Sequence, residues 1–235
     1  MPTMKQRSAP RRIAKKADAP SGRRGTKVRT RQVLFVQGAG QGTHDSWDNK
    51  LVASLEQELG PDYRVHYPRM PDEADPDPTA WKKSIGRELR KLSDGAFLVG
   101  HSVGAAILMD YLAGGTLKQR PAAVFLIAAP FIGDGGWPSK DLRPTRQMAV
   151  ELHDDTPLYF YQGSDDQTVP FSHIEMFARA FPHATIRRLE GRDHQLNDSL
   201  SELGHDLQAL GMKTVVQKTA PVPSVSARAR SRNGR

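Results

Sequence analysis

Short apolar runs alternate with helical patterns along the middle of this chain, and this alternation restricts the possible folds more than any other feature. The runs lie at 32–38, 63–67, 95–100, 122–128, 157–163 and 184–189. They are rich in β-branched and aromatic residues, and they are apolar throughout, as strands buried on both faces are. Strands that alternate with helices pair in parallel. The pattern predicts an α/β fold with a mostly parallel six-stranded sheet and helices on both faces.

The helices are predicted from apolar residues three or four positions apart. The stripes are Leu51 with Leu55 and Leu59, Trp81 with Ile85 and Leu89, Ile107 with Tyr111 and Leu112, Phe177 with Ala178 and Phe181, and Leu196 with Leu200, Leu203 and Leu207. One long connection, 129–150, has no clear element and is predicted to be a lid or a substrate-lining insertion. Ligands in such sheets bind beyond the carboxyl ends of the strands, so the residues after each strand are the functional candidates.

Charge separates this predicted domain from two tails. Residues 1–31 and 212–235 hold 17 of the 34 Lys and Arg residues and one of the 26 acidic residues, so residues 32–211 carry a formal net charge of −8. Both ends are rich in Pro, Ser and Ala and poor in large apolar residues, a composition typical of disorder. We expect two disordered basic tails that make at most weak, non-specific contacts with nucleic acid or acidic partners.

Composition also excludes several kinds of protein. The chain has no cysteine, which excludes disulfides, a thiolate nucleophile and a cysteine-based zinc site. No run approaches the roughly 18 apolar residues that a membrane-spanning helix needs. Paired arginines near the start are not followed by an apolar segment, so they do not form an export signal. We expect a cytoplasmic protein.

A serine stands where the third apolar run meets a helical pattern, in the sequence Gly100-His101-Ser102-Val103-Gly104. This is a G-x-S-x-G motif at a strand-to-helix junction, where a tight turn strains the serine backbone and small neighbours let the chain pass. The turn would present the Ser102 hydroxyl at the ligand side of the sheet. A serine needs a base to accept its proton, and the base needs a partner that orients it.

Both partners follow later strands. The fifth run is followed by 164–170, which contains Asp165 and Asp166, and the sixth is followed by 190–194, which ends at His194. Serine, acid and histidine in this chain order fit the strand–helix topology. The residues alone leave either aspartate open as the acid.

On these residues the chain resembles the α/β-hydrolase superfamily over residues 32–211. The resemblance implies a small fold without a large cap and a G-x-x-D-x-x-V-P segment that selects Asp166, with Asp165 as the alternative. It assigns the base to His194. The oxyanion donors would be the N–H groups of Val103 and, in a loop where Gln37 replaces the usual histidine, Ala39.

We expect the substrate to be lined by five residues: Gly40, His101, Phe131, Ile132 and Trp137. The last three belong to the 129–150 insertion and would supply apolar walls. No metal or other cofactor is expected, because hydrolysis through a serine needs none and the cluster His44, Asp45 and Asp48 has no recognised ligand spacing.

The predicted function is hydrolysis of a small or medium carboxylic ester through an acyl-enzyme. Fold alone does not fix chemistry. One alternative is a binding or regulatory module with this fold, tethered by the basic tails. Another is an acyltransferase or lyase that uses the same triad.

Overall fold

A computed structural model describes residues 30–115, 119–152 and 156–219. Within them, six strands form one parallel sheet in the order β2-β1-β3-β4-β5-β6. The strands are β1 Arg31–Val36, β2 Tyr63–His66, β3 Phe97–His101, β4 Ala123–Ile127, β5 Leu158–Gly163 and β6 Thr185–Leu189. Each lies inside, or within one residue of, an apolar run of the sequence, so the predicted sheet is confirmed.

Helices connect the strands. They are α1 Asp48–Leu59, α2 Pro78–Leu89, α3 Ser102–Ala113, α4 Thr145–Glu151, α5 Ser172–Ala180 and α6 Ser201–Thr219. A π-helical turn, Thr43–Trp47, leads into α1, and a 3-10 turn, Leu196–Asp198, precedes α6. The start of α2 shows its local cause, because Asp77 accepts a hydrogen bond from the Thr79 N–H and Pro78 occupies the first helical position.

The core has two layers, one on each face of the sheet. Successive strand residues point to opposite faces. In β1, Leu34 and Val36 therefore pack under α2 and α3, while Val33 and Phe35 pack under α1 and α6. This double burial explains why β4 and most buried residues of β1 and β3 are apolar, whereas the edge strands β2 and β6 carry exposed arginines. The predicted helices on both faces are confirmed.

The strand order places a switch point between β1 and β3. From β1 the chain crosses to the outer strand β2, and it then returns to add β3 on the other side of β1. Loops after β1 and β3 therefore leave the sheet in opposite directions, and a crevice forms between them at the carboxyl edge. Ser102 follows β3 at this point.

The last helix begins later than its leucine stripe predicts. Leu196, Asn197 and Asp198 have φ values of 50°, 55° and 56°, which are incompatible with a right-handed helix. Asp193 Oδ1 accepts hydrogen bonds from the N–H groups of Gln195 and Asn197 and so stabilises the turn. Leu196 is buried with the α6 leucines, but it packs there from a separate turn.

The last helix also ends later than the predicted domain boundary. Helix α6 continues to Thr219, so 212–219 is helical where a disordered tail was expected. The boundary rested on charge and composition, whereas the segment up to 219 contains no proline. Pro221 disfavours helix at the residue before it, which is consistent with this end. The other predicted tail residues, 1–29 and 220–235, lie outside the described residues.

The 129–150 insertion is packed onto the domain and does not form an open lid. It contains most of α4 and a tight turn in which Ile132 pairs with Trp137. Arg143 contacts the buried carboxylate of Asp110 on α3 at 3.0 Å, and Lys82 of α2 contacts the same carboxylate at 2.7 Å. The Arg143–Asp110 ion pair attaches the insertion to α3, and the Lys82–Asp110 ion pair joins α2 to α3.

A search of the described residues for a helix long and apolar enough to cross a membrane found none.

Candidate active site

The turn between β3 and α3 holds Ser102 in a strained conformation. Its φ is +53°, in the left-handed region that residues with a side chain rarely adopt. His101 before it is still extended, and α3 begins at Ser102 itself. The chain therefore reverses direction at one residue, and the hydroxyl lies at the carboxyl edge of the sheet. The strained turn predicted from G-x-S-x-G is present.

The two glycines of the motif are required by close approach. A Cβ on Gly100 would lie 2.7 Å from Ala105 Cα, and a Cβ on Gly104 would lie 1.9 Å from the carbonyl oxygen of Gln37. Both distances are shorter than any real side chain tolerates. Gly104 therefore lets α3 pack against the loop that follows β1, and this contact sets the distance between Ser102 and that loop.

Ser102, His194 and Asp166 form a continuous hydrogen-bonded chain. His194 Nε2 lies 3.0 Å from Ser102 Oγ, and His194 Nδ1 lies 2.8 Å from Asp166 Oδ2. Because a carboxylate only accepts, Nδ1 carries the proton and Nε2 of the neutral ring is free to accept from the hydroxyl. The arrangement can take a proton from the serine and return it to a leaving group.

Both carboxylate oxygens of Asp166 accept hydrogen bonds, and these bonds fix the orientation of the side chain. Its Oδ1 accepts from the N–H groups of Thr168 and Val169, both at 2.8 Å, and its Oδ2 also accepts from Gln162 Nε2 at 2.7 Å. Burial raises the pKa of Asp166, but the hydrogen bonds from His194 and from the backbone outweigh it, so its pKa lies below the ordinary value. The carboxylate therefore stays ionised beside the histidine.

The neighbouring aspartate does not reach the histidine in this way. The Asp165 side chain is exposed, and its carboxylate accepts a hydrogen bond from the Ser164 hydroxyl at 2.8 Å. Its backbone N–H instead donates to the Arg192 carbonyl, which ties the loop after β5 to the loop that carries His194. Gly163 allows this, because a Cβ there would lie 2.1 Å from the same Arg192 carbonyl oxygen.

Two carboxylates fix the loop after β1 by accepting hydrogen bonds from three of its N–H groups. The Gly38 N–H donates to Asp48 Oδ2 at 2.7 Å. Glu73, which lies between β2 and α2, accepts from the N–H groups of Gly42 and His44 at 2.9 and 3.1 Å, and its backbone carbonyl accepts from Gly40. The loop is thus fixed at alternate residues.

Ala39 lies between two of these fixed residues. Among the described residues its N–H has no hydrogen-bond partner, and the residue lines the cleft beside Ser102. Val103 is the second residue of α3, so its N–H has no partner within the helix either. These are the two predicted oxyanion donors, and both line the cleft in which the Ser102 hydroxyl lies.

Gln37, which stands where the superfamily usually has a histidine, joins the loop after β1 to the segment after β2. It is fully buried, its Nε2 donates to Glu73 Oε2 at 2.6 Å, and its Oε1 accepts from the Met70 N–H at 2.9 Å. The substitution therefore adds a link between the loop and the segment after β2.

The hydroxyl opens into a cleft of about 420 Å³. Of the predicted substrate-lining residues, Gly40, His101 and Trp137 line it, although only 1% of His101 is exposed. Phe131 and Ile132 do not. Their exposed fractions are 0% and 4%, and Phe131 packs edge-on against Phe177 of α5. These two side chains of the insertion turn into the core, so this part of the prediction is wrong.

Several cleft residues were missed by the sequence analysis. Trp47 in the π-helical turn is 51% exposed and lines the cleft, as do four polar residues: Gln41, Thr43, Thr168 and Gln195. Asp48 carried a usable signal, because it lies on the apolar stripe of Leu51, Leu55 and Leu59, where a carboxylate needs a buried partner. Glu73 carried no such signal in its irregular segment.

Three of the other histidines, His173, His205 and His44, lie away from the serine. Buried His173, in the first turn of α5, accepts a hydrogen bond from the Phe131 N–H at 2.9 Å. His205 is exposed on α6. His44 stacks on the Tyr67 ring at 4.2 Å between centroids.

Residues 33–211 match the model of a family described as the alpha/beta hydrolase family. The match covers well over half of the chain. The chain belongs to the alpha/beta hydrolase family. Membership agrees with the sheet order and the strained serine turn, and it supports a hydrolase. No curated protein matches the sequence.

Solved structures show the same fold at low sequence identity. The ydeN gene product of B. subtilis is 19% identical, with a TM-score of 0.63, and the match covers 78% of this chain and all of that one. The esterase domain of a Rhodothermus marinus protein is 19% identical, with a TM-score of 0.56 and coverages of 80% and 89%. XC6422 of Xanthomonas campestris, described as an a/b serine hydrolase without lid, is 18% identical, with a TM-score of 0.56 and coverages of 82% and 85%. At these identities the likeness concerns the fold.

Proposed function

We propose that this alpha/beta hydrolase cleaves small or medium carboxylic esters through an acyl-enzyme on Ser102. The observation that carries the proposal is the hydrogen-bonded chain from Ser102 Oγ through His194 to Asp166, with distances of 3.0 and 2.8 Å, at the floor of an open cleft. The Rhodothermus marinus neighbour, described as an esterase domain, supports an ester as the substrate.

In the first half-reaction, Ser102 Oγ bonds to the ester carbonyl carbon while its proton passes to His194 Nε2. The carbonyl oxygen becomes an oxyanion that accepts from the N–H groups of Ala39 and Val103, and each such donor contributes about 3 kcal/mol. The carbon–oxygen bond to the alcohol then breaks, and the alcohol leaves with the proton from His194. Asp166 stabilises the imidazolium that forms in between.

In the second half-reaction, water takes the place of the alcohol. His194 removes a proton from water, the hydroxide bonds to the acyl carbon, and the bond to Ser102 breaks as the serine recovers its proton. An open cleft admits water to the acyl-enzyme. This favours hydrolysis over acyl transfer, which requires water to be kept out while a second alcohol or amine attacks.

The cleft walls favour an uncharged substrate. Trp47, Trp137 and Val103 supply apolar surface, and the polar side chains are amides, hydroxyls and histidines, without a lysine, arginine or carboxylate among the described lining residues. The volume of about 420 Å³ is within the range of pockets for small molecules. We propose a neutral ester with an acyl or alcohol part that packs against an indole ring.

A screen of p-nitrophenyl esters of increasing acyl length tests this function, together with labelling by a fluorophosphonate probe. We expect turnover of short and medium esters and labelling of one serine. Ser102→Ala should abolish labelling and reduce kcat at least 10³-fold, because the residual rate then comes from binding and the oxyanion donors alone.

Ser172→Ala is the matched control, since Ser172 is exposed at the start of α5 and should leave both readouts unchanged. Labelling without turnover of any ester would replace the proposal by an acyltransferase or lyase. Absence of labelling in the wild type would remove the enzyme and leave a binding module.

Two further proposals, a partner that the basic ends bind and a cellular location, rest on composition alone. The basic ends favour weak, non-specific binding of nucleic acid or acidic partners. Salt-sensitive DNA binding that disappears when 1–29 and 220–235 are deleted would support this contact. We also propose a cytoplasmic location, which cell fractionation tests.

A further inference from the structure

His101 lies behind the candidate nucleophile, and both nitrogens of its ring face oxygen atoms. It ends β3 directly before Ser102 and is 1% exposed. Its Nδ1 lies 2.9 and 3.0 Å from the two carboxylate oxygens of Asp48, and its Nε2 lies 3.1 Å from the backbone carbonyl oxygen of His194. A backbone carbonyl can only accept a hydrogen bond, so Nε2 must carry a proton.

The Asp48 side requires a second proton. A neutral ring with a proton on Nε2 would point the Nδ1 lone pair at a carboxylate that is 0% exposed. Asp48 Oδ2 already accepts from the Gly38 N–H at 2.7 Å, which is the bond expected of an ionised carboxylate. Nδ1 must therefore donate to this ionised carboxylate while Nε2 donates to the carbonyl, and a ring with a proton on both nitrogens is a cation.

From this geometry we propose that His101 is a permanent imidazolium, and that its ion pair with Asp48 is a positioning device that joins the three loops of the active site. The carboxylate holds the loop of the oxyanion donor through the Gly38 N–H. The ring belongs to the turn of Ser102, and its other nitrogen holds the backbone of His194. The protonation of His101 is independent of the proposed ester hydrolysis. The positioning role, by contrast, rests on that proposed function.

The charges around the ring agree with the proposal. Burial lowers the pKa of His101, but the Asp48 carboxylate, the bond to the His194 carbonyl and the Asp166 carboxylate outweigh it, and the pKa lies above the ordinary value. Burial likewise raises the pKa of Asp48, and His101 and Gly38 bring it below the ordinary value. The His194 ring is the other titratable group that faces His101, at 4.9 Å between ring centroids.

Nitrogen-15 NMR of the histidine side chains tests the protonation directly, in the full-length protein and without any substrate. We expect one histidine to keep protons on both nitrogens from pH 6 to pH 9, and its signals to be missing in His101→Gln. His205→Gln, which removes an exposed ring, should leave those signals in place. An unprotonated His101 Nδ1 at pH 7 would mean a neutral pair with a protonated Asp48, and it would overturn the proposal.

Kinetics of Asp48→Asn test the positioning role. The amide keeps the shape and can still accept from Gly38, but it removes the charge that keeps His101 protonated. Since Asp48 is not among the residues that line the cleft, we expect kcat to fall about 10- to 100-fold with little change in KM. The loss should deepen as pH rises, because His101 now deprotonates.

An unchanged kcat and pH profile in Asp48→Asn would overturn the positioning role. If this variant fails to fold, the NMR spectrum of the wild type still decides the protonation of His101. Absence of ester turnover in the wild type would contradict the proposed function and leave the NMR result standing, so the two failures are distinguishable.

Discussion

At the scale of single residues, two adjacent aspartates differ in role although their chemistry alone leaves either one open as the acid. Asp165 and Asp166 follow the same strand in the same turn, and their intrinsic chemistry is identical. In the structure, Asp166 accepts from two backbone N–H groups and contacts His194, while Asp165 is exposed beside Ser164. The orientation of the turn, set by its contact with the Arg192 carbonyl, separates them.

This difference predicts opposite results for two variants of the same chemistry. Asp166→Asn should reduce kcat on the best ester about 10⁴-fold, because an amide that donates to Nδ1 stabilises the wrong tautomer of His194. Asp165→Asn should leave kcat close to wild type, since its carboxylate contacts only an exposed serine. Steady-state kinetics of both variants measure the effect. Equal losses, or the reverse order, would contradict the assignment of the acid.

At the scale of elements, the active site depends on how closely α3 approaches the loop after β1. Apolar patterns predict β1 and α3, but the distance between α3 and the loop after β1 is decided by Gly104, where a Cβ would lie 1.9 Å from the Gln37 carbonyl oxygen. That loop carries Ala39 and is fixed by Asp48 and Glu73. A displacement of α3 would therefore separate the serine from the oxyanion donor as well as strain the core.

Gly104→Ala should thus lower the free energy of unfolding by at least about 3 kcal/mol, since backbone must shift to admit the methyl group, and it should also reduce kcat. Gly95→Ala is the matched control. Gly95 has a positive φ of 81° but open space around it, so we expect a loss of about 1 kcal/mol and normal activity. Urea unfolding and ester kinetics of the pair check this. A loss in Gly104→Ala no larger than that in Gly95→Ala would contradict the close contact with the Gln37 carbonyl as the cause.

At the scale of the whole molecule, buried carboxylates make stability dependent on pH. Asp48, Asp166 and Glu73 each have a pKa below the ordinary value, because hydrogen bonds from histidines, Gln37 and the backbone outweigh the cost of burial. As pH falls, these groups bind protons in the unfolded chain before they do so in the folded protein, because their folded pKa values are lower. Their contribution is complete above the ordinary carboxyl pKa of about 4 and is lost as pH falls through the folded values.

We therefore expect the free energy of unfolding to begin to drop as pH falls below about 4, measured by urea unfolding at a series of pH values. Glu73→Gln should lower stability at pH 7 and make this acid dependence shallower. Glu56→Gln, at an exposed position of α1, should follow the wild-type curve. An acid dependence that Glu73→Gln leaves unaltered would show that the loop after β1 is not stabilised by this carboxylate.

The periodicity of apolar residues was sufficient to predict the sheet, the helices on both faces and the site at the carboxyl edge, because burial on two faces leaves a local pattern in each strand. The G-x-S-x-G turn was equally readable, since its strain requires small neighbours nearby in the chain. The family resemblance selected Asp166 over Asp165, but the tertiary structure alone decided that Phe131 turns into the core and that His101 meets Asp48. Each of these depends on contacts between residues distant in sequence, whose distances no local pattern records.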